Sequence, residues 1–311
     1  MIKAPFPYFG SKSKAAPLIW SRLGNVPNYV DPFAGSLAVL LARPHEPGIE
    51  TVNDKDCMIS NFWRAIQKDP EQVAKWADWP VSEVDLYARH KWLIGAKHQL
   101  ENDPNHCNFQ LAGWWVWGLS SWIGGGWCSY LNNRRPCLNS AGQGINRRRP
   151  CLNSAGINRH IGDTDTGKGL NKKQALIQTF QTLADRLRNV RVCNGDWSRI
   201  MGPSVTFKHG ITGVVLDPPY TAEAGRDPTI YVHDDLSVGH DVAKWGFENG
   251  DNPKLRIALC GYEGEYVVPS DWTTGYWKAN SGMAGNKNLN RKKERVWFSP
   301  HCLKVQQELF V

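Results

Sequence analysis

Apolar residues recur along this chain at two different periods. From about Met58 to Asn105 they return every three or four positions, as Phe62-Trp63-Ile66, then Val73, Trp76, Trp79, then Val84, Tyr87, Trp92 and Leu93. That spacing predicts helices, with most of these side chains in the core. A second amphipathic helix is predicted over Lys173–Leu187, from Leu176, Ile177, Phe180, Leu183 and Leu187, and a third around Asp241–Phe247. Elsewhere the apolar runs are short and rich in β-branched residues: Tyr29-Val30, Glu50-Thr51-Val52, Val190–Cys193, Val214–Leu216 and Leu255–Cys260, with a last pair near Gly275–Lys278 and Arg295–Phe298. These read as strands. Strands alternating with helices predict an α/β fold with a doubly wound, Rossmann-like sheet.

Chemistry concentrates where the strands stop. Val214-Val215-Leu216 runs into Asp217-Pro218-Pro219-Tyr220. Proline has no N–H for a sheet and fixes its own φ, so the strand ends there, and Asp217 is pushed toward extended geometry. A carboxylate, stiff carbonyls and an aromatic ring at one strand end suit a flat, amine-bearing ring. Tyr29-Val30 leads into Asp31-Pro32-Phe33-Ala34-Gly35-Ser36, and Leu37 to Ala42 are strong helix formers. A glycine turn opening a helix presents free N–H groups and a positive dipole end to a ligand. Glu50-Thr51-Val52 ends in Asn53-Asp54-Lys55-Asp56, with Asp54 19 residues beyond Gly35. That separation is close to the roughly 20 residues at which an acid holds a ribose in a nucleoside-binding βαβ unit. Asn194-Gly195-Asp196-Trp197 closes a further strand, with a carboxylate for an amine edge and an indole for a ring face. The N-terminal segment Phe6-Pro7-Tyr8-Phe9-Gly10-Ser11-Lys12 adds aromatic rings, a flexible glycine and a cation.

Charge changes this picture by adding a partner. The formal net charge is +8 and the pI about 9.0. Residues 134–173 carry nine Lys/Arg against two acids. Within that stretch Arg134-Arg135-Pro136-Cys137-Leu138-Asn139-Ser140-Ala141-Gly142 recurs, 14 residues on, as Arg148-Arg149-Pro150-Cys151-Leu152-Asn153-Ser154-Ala155-Gly156. A basic segment rich in Asn, Ser and Gly can meet phosphates and base edges together, so Arg134, Arg135, Arg147, Arg148 and Arg149 are candidate DNA contacts. Gly282–Lys293 is a second candidate phosphate-facing loop. Trp114, Trp115, Trp117, Trp122 and Trp127 gather around Gly124-Gly125-Gly126, where core packing competes with a role in probing a base stack. The eight cysteines form no C-x-x-C pair, which suits a reducing cytosol rather than a disulfide scaffold or zinc finger. No metal site is expected: Cys128, Cys137, Cys151 and His160 lie loosely together at a spacing unlike a zinc site. The uncharged segment 107–133 is long enough to span a bilayer, but its Asn108, Gln110, serines and glycine run fit a buried helix and turn better. The N-terminus lacks the apolar region of a signal peptide, so a soluble protein is expected.

The ordered set of motifs resembles the Dam-like (alpha-class) DNA adenine-N6 methyltransferases. In that family an aromatic–glycine–lysine element, a D-P-F-x-G turn, a ribose-binding acid, a target-recognition insertion and D-P-P-Y follow one another. Here these are Tyr8-Phe9-Gly10-Ser11-Lys12, Asp31-Pro32-Phe33-Ala34-Gly35, Asp54, an intervening stretch, and Asp217-Pro218-Pro219-Tyr220; Gly195-Asp196-Trp197 is similar to the family's G-D-F element. Leu37 stands where the family often has a second glycine. The resemblance implies a class I methyltransferase sheet from residues 1–60 and 186–311, with a mainly helical target-recognition insertion at 61–185. It implies S-adenosylmethionine as methyl donor, with Tyr8, Phe9, Lys12, Asp31, Phe33, Gly35, Asp54, Asp196 and Trp197 around it. Lys12 and Asp31 would hold the donor's amino-acid end. Asp217, Pro218, Pro219 and Tyr220 would receive a flipped adenine of double-stranded DNA. The resemblance further implies a cytoplasmic monomer or weak dimer of a bacterial cell or phage-infected host, in a restriction-modification setting whose endonuclease partner stays open. A methyltransferase on cytosine N4 or RNA adenine, and a decayed DNA-binding relative, are the alternatives.

Overall fold

A computed structural model describes residues 2–6, 8, 10–80, 82–102, 107–121, 127–128, 172–219, 238–277 and 294–304. In chain order these give α1 (Ala16–Leu23), β1 (Asn28–Asp31), α2 (Ala38–Leu41), β2 (Ile49–Asp54), α3 (Cys57–Lys68), α4 (Pro70–Ala77), α5 (Glu83–Asn102), α6 (Phe109–Ser121) and α7 (Lys172–Leu187). There follow β3 (Arg191–Asn194), β4 (Thr212–Leu216), α8 (Val238–Asn249), β5 (Leu255–Tyr262), β6 (Thr273–Gly275) and β7 (Glu294–Phe298). Among the described residues no helix is long and apolar enough to cross a membrane.

The strands form one seven-stranded sheet in the order β3-β2-β1-β4-β5-β7-β6. The first five run parallel, and only β7 runs antiparallel to its neighbours β5 and β6. Alternation along each strand feeds two cores. Tyr29, Val215, Ala258, Cys260, Val296 and Phe298 face the layer of α1–α7. Val30, Val214, Leu216, Ile257, Leu259 and Trp297 face α8 and the short helix after β3. A parallel sheet buried on both faces has to be apolar at nearly every position, and β1 and β4 are buried throughout. This is the Rossmann-like methyltransferase architecture that the motif order implies. Two edges differ from expectation by short shifts. β3 begins at Arg191 instead of Val190, and β6 lies at Thr273–Gly275 instead of Gly275–Lys278.

The helices from α3 onward are set by local signals. Asp56 caps α3 by accepting from Met58 N at 3.0 Å. Asp69 closes α3 and opens α4, accepting from Gln72 N at 3.0 Å with Pro70 in the first turn, the position where proline's missing N–H does no harm. Phe62, Trp63, Trp115 and Phe180 then share one aromatic core with Phe6 of the N-terminal arm. Trp127 also belongs to this core: it is 7% exposed, lies against Gly118 and donates from Nε1 to Trp115 O at 3.0 Å. Packing thus accounts for Trp115, Trp117 and Trp127; Trp122 and Gly124–Gly126 lie outside the described residues.

Candidate active site

In an open α/β sheet the binding crevice forms at the carboxyl ends of the strands, where the strand order reverses. Here that reversal lies between β1 and β4, which are hydrogen-bonded neighbours. Asp31 ends β1 and Asp217 follows β4 directly, so the topology brings these two acids to adjacent strand ends. Asp54 ends β2 beside them, and Asp196 follows β3 two residues beyond its end. Four predicted acids therefore occupy four consecutive strand ends.

The turn after β1 is bound from three sides. Gly35 takes φ +44, and its N–H donates to Asp54 Oδ2 at 2.9 Å. Its carbonyl accepts from Trp63 Nε1 at 3.0 Å in the buried core. Tyr8 covers it so closely that a Cβ added at Gly35 would lie 2.5 Å from the ring. Leu37 adopts the left-handed conformation, φ 54 and ψ 25, that a glycine would take without cost. Its side chain is fully buried in the core. Apolar burial of Leu37 thus offsets backbone strain of about 1–2 kcal/mol.

The acids differ in how they are held. Asp31 is buried and accepts from Phe33 N at 3.1 Å and from Tyr29 Oη at 3.2 Å. Burial foremost, and then the charges of Asp217 and Asp54, push its carboxyl up to about 7 against those two bonds. Asp54 keeps a partly exposed edge while its carboxylate accepts from Gly35 N and, at 2.9 Å, from Asp56 N. Burial, and next the Asp56 carboxylate, push it up to about 7. Asp196 is exposed and accepts from Ser198 N at 3.0 Å and Ser198 Oγ at 2.6 Å. Trp197 and Phe33 lie nearly parallel, with centroids 6.5 Å apart and planes inclined by 25°. Asp217 is partly exposed, Pro218 buried and Pro219 partly buried.

Lys12, expected at the donor's amino-acid end with Asp31, places its ammonium 2.8 Å from Asp217 Oδ1 and donates to Gly10 O at 2.8 Å. Phe9, Tyr220, Arg134, Arg135, Arg147, Arg148, Arg149 and the loop 282–293 lie outside the described residues.

Several contributors escaped sequence reading. Asn53 is 1% exposed and donates through Nδ2 to Pro32 O at 3.2 Å and Gly195 O at 3.0 Å, while its main-chain carbonyl accepts from Ala34 N. It ties the turns after β1 and β3 together. An amide in an otherwise apolar strand was the available signal. Trp63 had been read only as core, and no sequence pattern marks its bond to Gly35.

No curated protein matches the chain. Residues 8–90, which carry the arm, the glycine turn and Asp54, match the family model for the D12 class N6 adenine-specific DNA methyltransferase. That match spans the amino-terminal part of the chain, and the sheet order with the acids at its carboxyl edge is consistent with it.

Proposed function

We propose that the chain methylates the exocyclic N6 amine of an adenine extruded from double-stranded DNA, with S-adenosylmethionine as donor, through the four strand ends described above. The observation that carries this reading is the pairing of Asp31 and Asp217 on adjacent strands at the switch point. One strand end then serves the donor and the next the acceptor.

The residues at β1, β2 and β3 fit the donor. Asp31 and Asp54, both pushed up to about 7 by burial, lie in a region short of positive charge, which a sulfonium and an ammonium would relieve. When bound, S-adenosylmethionine supplies an electrophilic methyl group. Gly35 leaves room for the Tyr8 ring to close over the turn, and Asp54 accepts from ribose hydroxyls. Phe33 and Trp197 offer apolar faces to the donor's adenine, and Asp196 accepts from its amine.

On the acceptor side, Asp217 and the Pro218 carbonyl accept the two hydrogens of the target amine. This directs the nitrogen lone pair toward the methyl group. Bonds to an ionised acceptor are worth on the order of 1.5–3 kcal/mol each. Pro218 and Pro219 hold the acceptors stiffly, so alignment and preorganisation account for most of the rate. Tyr220 stacks on the flipped base and offsets part of the few kcal/mol that extrusion costs. Residues 61–185 read the target, with Arg134, Arg135, Arg147, Arg148 and Arg149 on the phosphates.

Incubation with labelled S-adenosylmethionine and plasmid DNA, followed by mass spectrometry of the nucleosides, tests the reading. N6-methyladenine is expected, and Asp217→Ala should abolish it while donor binding persists. N4-methylcytosine as the product, or normal turnover by Asp217→Ala, would refute the assignment.

A further inference from the structure

Lys12 is a lysine with 4% exposure at the edge of a catalytic crevice. Lysine is almost never so buried unless paired, and its partner identifies its task. We propose that Lys12 is a positioning residue for Asp217, and that the short arm carrying it couples the donor turn to the acceptor turn. This rests on the reading of Asp217 as the acceptor of the amine hydrogens.

The geometry is specific. Lys12 Nζ lies 2.8 Å from Asp217 Oδ1, and the Asp217 side chain keeps 22% exposure on the crevice side. The ammonium is steered by its own loop, donating to Gly10 O at 2.8 Å across the φ +74 turn at Gly10. Ser11 N reaches back to Tyr8 O at 3.3 Å, Ser36 Oγ donates to Ser11 Oγ at 3.2 Å, and Lys12 O receives Ala16 N at 2.8 Å as α1 begins. Tyr8, Gly10, Ser11 and Lys12 thus form one arm that sets the Tyr8 ring on Gly35 and the Lys12 ammonium on Asp217.

The surroundings make the cation necessary. Asp217 is faced by Asp31 from β1, Cys260 from β5, Tyr266 beyond β5 and Glu294 from β7, as well as Lys12. Among these described groups, all except Lys12 are neutral or anionic. Burial works against the Lys12 ammonium, but Asp217, Cys260 and Glu294 outweigh it and hold the lysine charged. A carboxyl in such a neighbourhood, deprived of its cation, favours the protonated form. A protonated carboxyl has one oxygen committed as a donor and is a poorer acceptor for an amine hydrogen. Lys12 therefore keeps Asp217 ionised and aims it.

Lys12→Met and Lys12→Arg in the full chain test the proposal by calorimetric S-adenosylmethionine affinity, kcat at saturating donor, and the pH profile of kcat. For Lys12→Met we expect a loss of about 100-fold in kcat, the scale of removing one preorganised electrostatic group. Donor Kd should stay within about 2-fold, and the acidic limb of the profile should move to higher pH. Lys12→Arg should restore most of the rate and return the limb. A donor Kd weakened in step with loss of charge, at unchanged kcat, would make Lys12 a donor ligand and overturn the proposal, as would an unmoved limb in Lys12→Met. Should Lys12→Met not fold, Lys12→Gln takes its place: an acidic limb moved to higher pH supports the proposal, an unmoved limb overturns it. Asp217→Asn, run in parallel, separates the two levels. Normal turnover there rejects the role of Asp217 itself, whereas an inactive Asp217→Asn beside a fully active Lys12→Met rejects only this inference.

Discussion

The two ends of the central sheet treat buried charge in opposite ways. At the amino end, Glu50 of β2 is 2% exposed and both its oxygens are taken. Arg186 reaches it through two bonds of 2.7 and 2.9 Å, and Arg43 through one of 3.1 Å. The two arginines also donate to Leu40 O and Val26 O, fastening α7, α2 and the segment before β1 to the strand. Two cations there serve one anion. At the carboxyl end, Asp31, Asp217 and Glu294 lie near the buried cation Lys12, and Asp31 and Asp54 are both pushed up to about 7. Charge that is over-neutralised holds a structure shut. Charge that is under-neutralised costs stability in the unliganded protein, a cost that a cationic ligand would relieve.

The largest effect expected from this contrast is at the amino end. Glu50→Leu leaves two arginines facing each other without their anion, and breaking a buried pair in this way costs about 3–5 kcal/mol. Thermal or urea unfolding should show that loss, with little change in donor affinity measured well below the transition. Equal loss of affinity would mean that the two ends are not separate in function. At the carboxyl end, Leu37→Gly relieves about 1–2 kcal/mol of left-handed strain but removes a fully buried leucine, worth several kcal/mol. A net destabilisation of about 2 kcal/mol should appear in chemical denaturation; a stabilised variant would show that the strain outweighs the packing.

Asp31→Asn sharpens the comparison further, because its effects on stability and binding should have opposite signs. Removing an under-neutralised buried carboxylate should raise the stability of the unliganded protein at pH 8 by about 1 kcal/mol, the scale of a single buried polar change. It should also weaken S-adenosylmethionine binding by about 10-fold, close to the same free energy. Calorimetry beside denaturation would expose a residue whose role is only structural, since both measurements would then fall together.

The most general effect is on pH. Asp31 and Asp54 start from 3.8 when unfolded and titrate at about 7 when folded. Between those values the folded protein binds protons that the unfolded chain releases. Their contribution to stability is therefore fully present below about pH 4 and is lost as pH rises through about 7. The unliganded protein should gain stability from these groups between pH 8 and pH 5, and Asp31→Asn should flatten part of that slope. Donor affinity should run the other way, weakening below pH 7, with proton release visible as a binding heat that depends on the buffer.

Much of the site was legible in advance because strand ends announce themselves. Pro218 and Pro219 stop β4 at a definite residue, so the position of Asp217 at a carboxyl end followed from proline chemistry alone. Asp54 was found by its separation from Gly35, because a βαβ unit has a nearly constant length. The helices of residues 58–102 were visible through their apolar spacing, although that pattern could not tell a purely packing tryptophan from Trp63, which also binds the glycine turn. The placement of β6 was read late by a few residues, since a three-residue strand carries little periodicity of its own.

By itself, then, the sequence determined which side chains stand at the carboxyl edge: period-two apolar runs, prolines and glycines set strand ends through local sterics. Only the tertiary structure decided which of those side chains meet. Lys12 and Asp217 are 205 residues apart, and Glu50 and Arg186 are 136 apart. No local pattern encodes such pairs, because they exist only once the strand order has reversed beside β1 and brought distant turns within bonding distance. The fold thereby gave Lys12 an acid to hold where its motif alone had suggested a cofactor.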